Sequence, residues 1–275
     1  MRKQFLLPLL AAAGGVMGGL LRGWQLETSF EQDTGLPLSG TSATLTISLA
    51  FVFFAILVLL ASRVNRPKQP LGFPLAFRNE SPFYLIPVLI AAALTAAGGL
   101  LYLMDWSRTY DPPALQLLFG LIAMVGAACL LLVGLRNYKQ GWTSEKSPVL
   151  LGPAFMSCVW LMFAYQGWAR DPIVIDYVFD LFAIIFTLLA HYYVSSYAFG
   201  RPRETPLCIT ATLALAFSLT IIPFCSRLAD QLLFAGVVLY LLPTLYTLCR
   251  NNGQEQLFPN PNSPNPENPL KEDSI

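Results

Sequence analysis

Charge is what this chain lacks most. Of its 275 residues only 12% are Asp, Glu, Lys or Arg, about half the share of an ordinary soluble domain. Hydrophobic residues make up 55%, so a water-exposed globule of this composition has too little polar surface to cover itself. The charges present nearly cancel, to a net +1. That balance excludes a basic nucleic-acid-binding face, which needs clustered Lys and Arg to neutralise many phosphates. There is one histidine, His191, and neither an H-E-x-x-H nor a G-x-S-x-G occurs. A single histidine cannot form a metal cluster, so no metal, no cofactor and no catalytic residue are expected. The five cysteines, Cys129, Cys158, Cys208, Cys225 and Cys249, form no C-x-x-C. Four fall within or beside apolar runs, where a thiol acts as a small hydrophobe rather than as part of a disulfide frame.

Long uncharged runs take the place of charge. Residues 81–104, 112–135, 147–169 and 205–226 contain no Asp, Glu, Lys or Arg, and each reaches the roughly 20 residues a helix needs to cross the hydrocarbon. The expected fold is an all-α polytopic membrane bundle. Eight spans fit, at residues 4–24, 43–62, 83–104, 113–135, 148–168, 173–199, 206–224 and 231–249. The first run begins after Arg2 and Lys3 like a signal peptide. It continues through Gly18 and Gly19 to Leu21, which is spanning length, so the first helix is expected to be retained.

Of the 17 basic residues, all but Arg22, Arg108, Arg170 and Arg227 fall on one side when the N-terminus is placed inside. The positive-inside rule therefore predicts a cell-membrane protein with both termini cytoplasmic. Residues 1–250 form the transmembrane domain. Residues 251–275, with Pro259, Pro261, Pro264, Pro266 and Pro269 among Asn, Ser and acids, read as a disordered cytoplasmic tail. Asn79-Glu80-Ser81 matches a glycosylation sequon, but it lies in a loop predicted to be inside. The loop of residues 25–42 carries Glu27, Glu31 and Asp33 and reads as a solvated acidic loop, with a lid over the bundle mouth as the alternative.

Gly18-Gly19 and Gly98-Gly99 precede Trp24 and Trp106 at the ends of the first and third spans, and Gly167-Trp168 ends the fifth. Asp111-Pro112 and Asp171-Pro172 follow the third and fifth, each a capping acid before the proline that suits a first helical position. This pattern suggests stacked helical hairpins. Gly14 and Gly18 are spaced as G-x-x-x-G, and small residues at this spacing let helix backbones approach closely. Pro87, Pro153 and Pro243 lie inside spans, where proline kinks are tolerated.

The sixth span is unlike the rest. Asp176, Asp180, Thr187, His191 and Ser195 recur at steps that return to one face of a helix. Asp180 should lie about 12 Å from the helix start, too deep for its short side chain to reach bulk water. An intramembrane acid or histidine points to a functional site, because its burial in hydrocarbon costs at least about 2.5 kcal/mol without a partner. The plainer reading is a structural acid paired with an arginine of a neighbouring helix, and Arg22 is the natural partner. A polar pocket of Asp176, Asp180 and Arg22, with His191 as a proton-linked group, suggests a small-solute permease or a membrane substrate-binding subunit. The alternative is a non-catalytic sensor or assembly partner that uses its loops and tail to contact membrane or cytoplasmic proteins. The expected partners are the lipid bilayer and a small solute, with no nucleic acid.

Overall fold

The computed structural model describes residues 5–31, 36–38, 40–64, 71–79, 81–110, 113–139, 148–169 and 173–257. Eight long helices carry the fold: α1 (Leu6–Thr28), α2 (Ser42–Val64), α3 (Pro82–Arg108), α4 (Ala114–Lys139), α5 (Gly152–Trp168), α6 (Val174–Ala198), α7 (Glu204–Ile221) and α8 (Leu228–Leu257). Each belongs to a helix long and apolar enough to cross a membrane, and the spans lie within a few residues of those expected. This is a multi-pass, all-α membrane bundle. The turns at Asp111-Pro112 and Asp171-Pro172 fall outside the described residues, as do Arg170 and residues 258–275. Pro153 sits in the first turn of α5, after a 3-10 turn at Pro148–Leu151, while Pro87 and Pro243 lie inside α3 and α8.

The hairpins α1–α2, α3–α4, α5–α6 and α7–α8 are all in contact, but they close into a ring rather than a linear stack. From α3 each helix packs on the next through to α8, and α8 returns to pack along α3. Outside the ring, α1 lies along α7 and pairs with α2. The helix wrapped on both sides is the most enclosed: 72% of the α7 span is buried against 28% of α2. Sequence explains that contrast. α7 is built from small residues, Thr210, Ala211, Thr212, Ala214, Ala216, Ser218 and Thr220, which let neighbours approach. Its threonine hydroxyls do not need outside partners, since Thr212 and Thr220 donate to the carbonyls of Cys208 and Ala216, one turn earlier, at 2.6 and 2.9 Å. On α2, Leu45, Leu49, Val52, Phe53 and Ile56 project outward and exposed, which suits a lipid-facing helix. Lipid offers no hydrophobic drive for helices to associate, so close packing carries the association.

The glycine pairs perform that packing. Gly15 of α1 rests against Leu219 of α7, leaving no room for a Cβ. Gly98 and Gly99 of α3 face two different neighbours: a Cβ on Gly98 would meet the Ala229 carbonyl of α8 at 3.0 Å, and one on Gly99 the Ala123 Cβ of α4 at 2.9 Å. One dipeptide thus holds both ring contacts of α3.

On the side of the bundle where α1 begins and α8 ends, here called the terminal side, the connection from α2 to α3 turns inward. Its one-turn helix, Phe73–Ala76, buries Phe73 and Phe77, and the Phe77 ring meets Tyr197 edge-on with centroids 5.2 Å apart. Asn79 is buried at 6% exposure and donates from Nδ2 to Thr247 Oγ1 at 2.9 Å. Its amide is thus engaged in packing, which gives the sequon a structural use. Asn251 donates to the carbonyls of Leu75, Ala76 and Arg78, each at 3.0 Å. The first residues assigned to the tail therefore belong to the bundle.

Candidate functional site

The side opposite the chain termini holds a cavity of about 350 Å³ inside the helix ring. α3 supplies Tyr102, α5 supplies Trp160, Phe163 and Trp168, α6 supplies Tyr177 and Asp180, and the turn into α8 supplies Cys225, Arg227 and Asp230. Each polar group arrives there for a local reason. Asp180 lies in the second turn of α6, on the stripe that the spacing of polar residues predicts. Asp230 falls in the first turn of α8, where the positive end of the helix dipole favours an acid. Tyr102 is 1% exposed near the end of α3, and its hydroxyl donates to Asp230 Oδ1. The Tyr102 carbonyl in turn accepts from Gln116 Nε2 of α4 at 3.1 Å, which fixes the end of α3 against α4.

Aromatic rings form the walls and the floor. Trp168 stacks on Tyr177 with centroids 5.0 Å apart and an 8° interplanar angle, joining the ends of α5 and α6. Beneath the acids, Trp160 and Phe234 meet at 4.6 Å across the ring, and Phe163 contacts both Tyr102, at 5.1 Å, and Phe119, at 5.2 Å. Two carboxyl groups thus share a cavity to which α3, α5, α6 and α8 also bring aromatic side chains. Arg227 lies exposed at its rim and acts electrostatically on Asp230 and Tyr102. Asp230 and Arg22 both act electrostatically on Asp180. In the turn outside the spans, burial first, and then the charges of Asp180 and Asp230, push the Cys225 thiol up, so it stays protonated well above neutral pH.

Of the four residues singled out from sequence, Asp180, Arg22 and His191 are described with their side chains, and of these Asp180 is the one that lines the cavity. Asp176 lies one turn earlier in α6, and its side chain falls outside the described residues. Arg22 is buried at 5% exposure, but it is not among the residues that line the cavity. Its guanidinium donates to Gln25 Oε1 at 2.7 Å and sits 5.1 Å from the Phe179 ring centroid. Gln25 passes the network on to Thr44 Oγ1 at 3.0 Å, and Thr41 joins Thr44 at 3.0 Å to Ser29 at 2.7 Å. Arg22 therefore ties α1 to the start of α2. The connection between these helices is pinched shut by backbone hydrogen bonds from Glu31 to Leu36 and from Leu38 to Ser29, at 2.9 and 2.8 Å.

His191 lies deeper, on the terminal side of the Trp160–Phe234 floor. Its Nδ1 is 2.9 Å from Ser157 Oγ, and its ring centroid is 5.5 Å from that of Tyr240. Ser157 is also placed to donate to the Pro153 carbonyl at 2.9 Å. If its single proton goes there, His191 carries its own proton on Nδ1 and presents the Nε2 lone pair. That Nε2 is buried and has no hydrogen-bond partner among the described residues. Below it, Tyr84 accepts from Asn137 Nδ2 at 2.9 Å, so polar groups continue along the ring interior beneath the aromatic floor.

Sequence reasoning missed Tyr102, Arg227 and Asp230. Asp230 stands at the boundary of its span, where an acid reads as a headgroup residue, and Arg227 reads as an interfacial anchor for the same reason. Tyr102 stands in an apolar run that gives no sign of its hydroxyl's partner. In comparisons with family models, curated proteins and solved structures, nothing matches this chain.

Proposed function

We propose that this protein is a small-solute permease, or the membrane substrate-binding subunit of one, and that its cavity takes a solute bearing an ammonium group. The observation that carries this reading is the sharing of one 350 Å³ aromatic-walled cavity by Asp180 and Asp230. An ammonium ion between two carboxylates neutralises their mutual repulsion, and aromatic faces attract cations through their quadrupole. A membrane protein that needed these acids only for packing would gain nothing from placing both against open volume. Arg227 at the rim offers a contact for a carboxylate on the same solute. Under the positive-inside rule both termini are cytoplasmic and the cavity opens outward from the cell. The aromatic floor then forms the closed gate of an outward-facing state, with His191 beneath it.

Trp160 and Trp168 line the cavity, so intrinsic fluorescence reports its occupancy. The purified protein in lipid nanodiscs is titrated with a panel of small amines, amino acids, neutral polyols and carboxylates. Saturable quenching by amine-bearing solutes, absent in Asp180→Asn, is the expected result. Equal responses to neutral and amine solutes, or an unchanged response in Asp180→Asn, would refute the assignment.

A further inference from the structure

At the opposite end of the ring from the cavity, α6, α7 and α8 bury a second polar cluster that uses none of the cavity residues. Glu204 opens α7 and is 8% exposed; Asn252 near the end of α8 is 4% exposed; Tyr197 near the end of α6 is 3% exposed. Asn252 Nδ2 donates to Glu204 Oε1. Three atoms of the cluster are buried without a hydrogen-bond partner among the described residues: Glu204 Oε2, Asn252 Oδ1 and Tyr197 Oη. Buried polar atoms are nearly always satisfied, so three together need an explanation.

Two of the three are the remaining corners of a single motif. A carboxyl and a primary amide pair through two hydrogen bonds, amide N–H to carboxyl C=O and carboxyl O–H to amide C=O. The first of these bonds is present. A carboxylate cannot make the second, because Oε2 and Oδ1 are then both acceptors. One proton on Oε2 turns it into the donor that Asn252 Oδ1 lacks and satisfies both atoms at once. We infer that Glu204 and Asn252 form a reversible proton-binding site at the terminal end of the bundle, in which the protonated carboxyl closes a two-hydrogen-bond ring with the amide. The step is simple protonation: the carboxylate takes a proton on Oε2 and returns it to water at the bundle end. Tyr197, on which the charge of Glu204 acts, holds the third of these atoms, a buried hydroxyl without a partner among the described residues.

Among the described residues, none that acts on Glu204 is a cation. Among the described residues Asn252 is the partner of Glu204. The titratable groups facing the site are Tyr197 from α6, Cys208 from α7 and Cys249 from α8, none of them positively charged. Arg201 and Arg203, beside Glu204 in the chain, are exposed, as are Arg63 at this end of α2 and Arg78, whose carbonyl accepts from Asn251; Arg250 of α8 is half-buried. The described part of α1 at this end brings no titratable group. An ionised Glu204 would draw some support from the N-terminus of α7, yet it would leave Asn252 Oδ1 without a donor.

Infrared difference spectroscopy on the full chain in lipid tests this directly. At near-neutral pH the protein should show a protonated-carboxyl C=O stretch that moves to lower wavenumber in D2O and shifts on [13C]glutamate labelling. The band should vanish in Glu204→Gln, whose amide reproduces the ring without a proton, and persist in Asp180→Asn. In Asn252→Leu the carboxyl keeps its proton but loses both partners, so the band should move to higher wavenumber. Absence of any protonated-glutamate band in the labelled wild type would overturn the inference without recourse to a variant. So would a band that neither Glu204→Gln nor Asn252→Leu changes. The readout does not depend on any solute, so failure of the cavity assignment leaves it intact.

Discussion

Replacing Asp180 with asparagine separates a structural acid from a solute-binding one, because the two roles predict opposite signs for stability. If Asp180 mainly offsets the buried Arg22, its neutralisation strands a cation in low dielectric and costs about 3–5 kcal/mol. The geometry argues otherwise. Arg22 has its own acceptor in Gln25 and a ring face in Phe179, while Asp180 lines the same cavity as Asp230. A sphere of 350 Å³ is about 9 Å across, and two unit charges at that separation repel by about 2 kcal/mol at an effective dielectric of about 20. Water in the cavity and the opposite charges of Arg227 and Arg22 reduce the gain, leaving about 1 kcal/mol of net relief on neutralising one acid. For a chain of this size that corresponds to a rise in Tm of about 2–4 °C. Asparagine preserves the shape and can still donate and accept, so no cavity is created. The expected outcome is an empty protein slightly more heat-resistant than wild type that no longer responds to amines. Thermal unfolding in matched nanodiscs at a fixed scan rate, with and without solute, provides the measurement. A fall in Tm of several degrees would show that Asp180 is held by a structural pair and that the cavity reading is misplaced.

Two further predictions use other parts of the same frame. Cys225 lines the cavity and stays protonated beside two acids, so maleimide labelling there should be slow at neutral pH and rise as pH increases. Asp180→Asn should speed it at a given pH, since each unit by which the thiol's pKa falls raises the thiolate fraction about tenfold. Peptide mapping by mass spectrometry measures the rate, and a rate independent of both pH and Asp180 contradicts the placement. A membrane-impermeant reagent should reach it from outside intact cells alone; labelling confined to inverted vesicles would reverse the proposed orientation. At the packing level, Gly98→Leu must push α8 away from α3, because even a Cβ would lie 3.0 Å from the Ala229 carbonyl. An overpacked contact typically costs about 1–3 kcal/mol, and the loss should appear as a lower Tm, whereas Gly167→Leu, where a Cβ meets nothing within 4 Å, should leave Tm nearly unchanged.

The fold was legible in the sequence because membrane solvation imposes a one-dimensional rule. Runs such as residues 81–104 must be helical, since hydrocarbon leaves no other way to satisfy their backbone groups. Close approach was legible too, in Gly14, Gly18, Gly98 and Gly99, because small size has one main use between membrane helices. What the pattern does not contain is which helices meet. Ring closure between α3 and α8 joins elements more than a hundred residues apart, and no periodicity within either helix specifies the other.

The same limit explains the site. Asp180 was found because it interrupts an apolar helix, and an interruption is visible one residue at a time. Asp230 and Glu204 were missed because each stands at the first turn of its helix, where an acid has an ordinary explanation in the dipole. Asn252 was missed because it adjoins a tail rich in asparagine and proline. Their importance is relational: Asp230 matters because α8 begins where α6 carries Asp180, and Glu204 because α8 ends where α7 begins. Both clusters therefore depend on the registration of α8, which runs antiparallel to α7 and parallel to α6. The two ends of α8 carry both sites: the first places Asp230, held by Tyr102, in the cavity that Asp180 also lines, and the second brings Asn252 to Glu204.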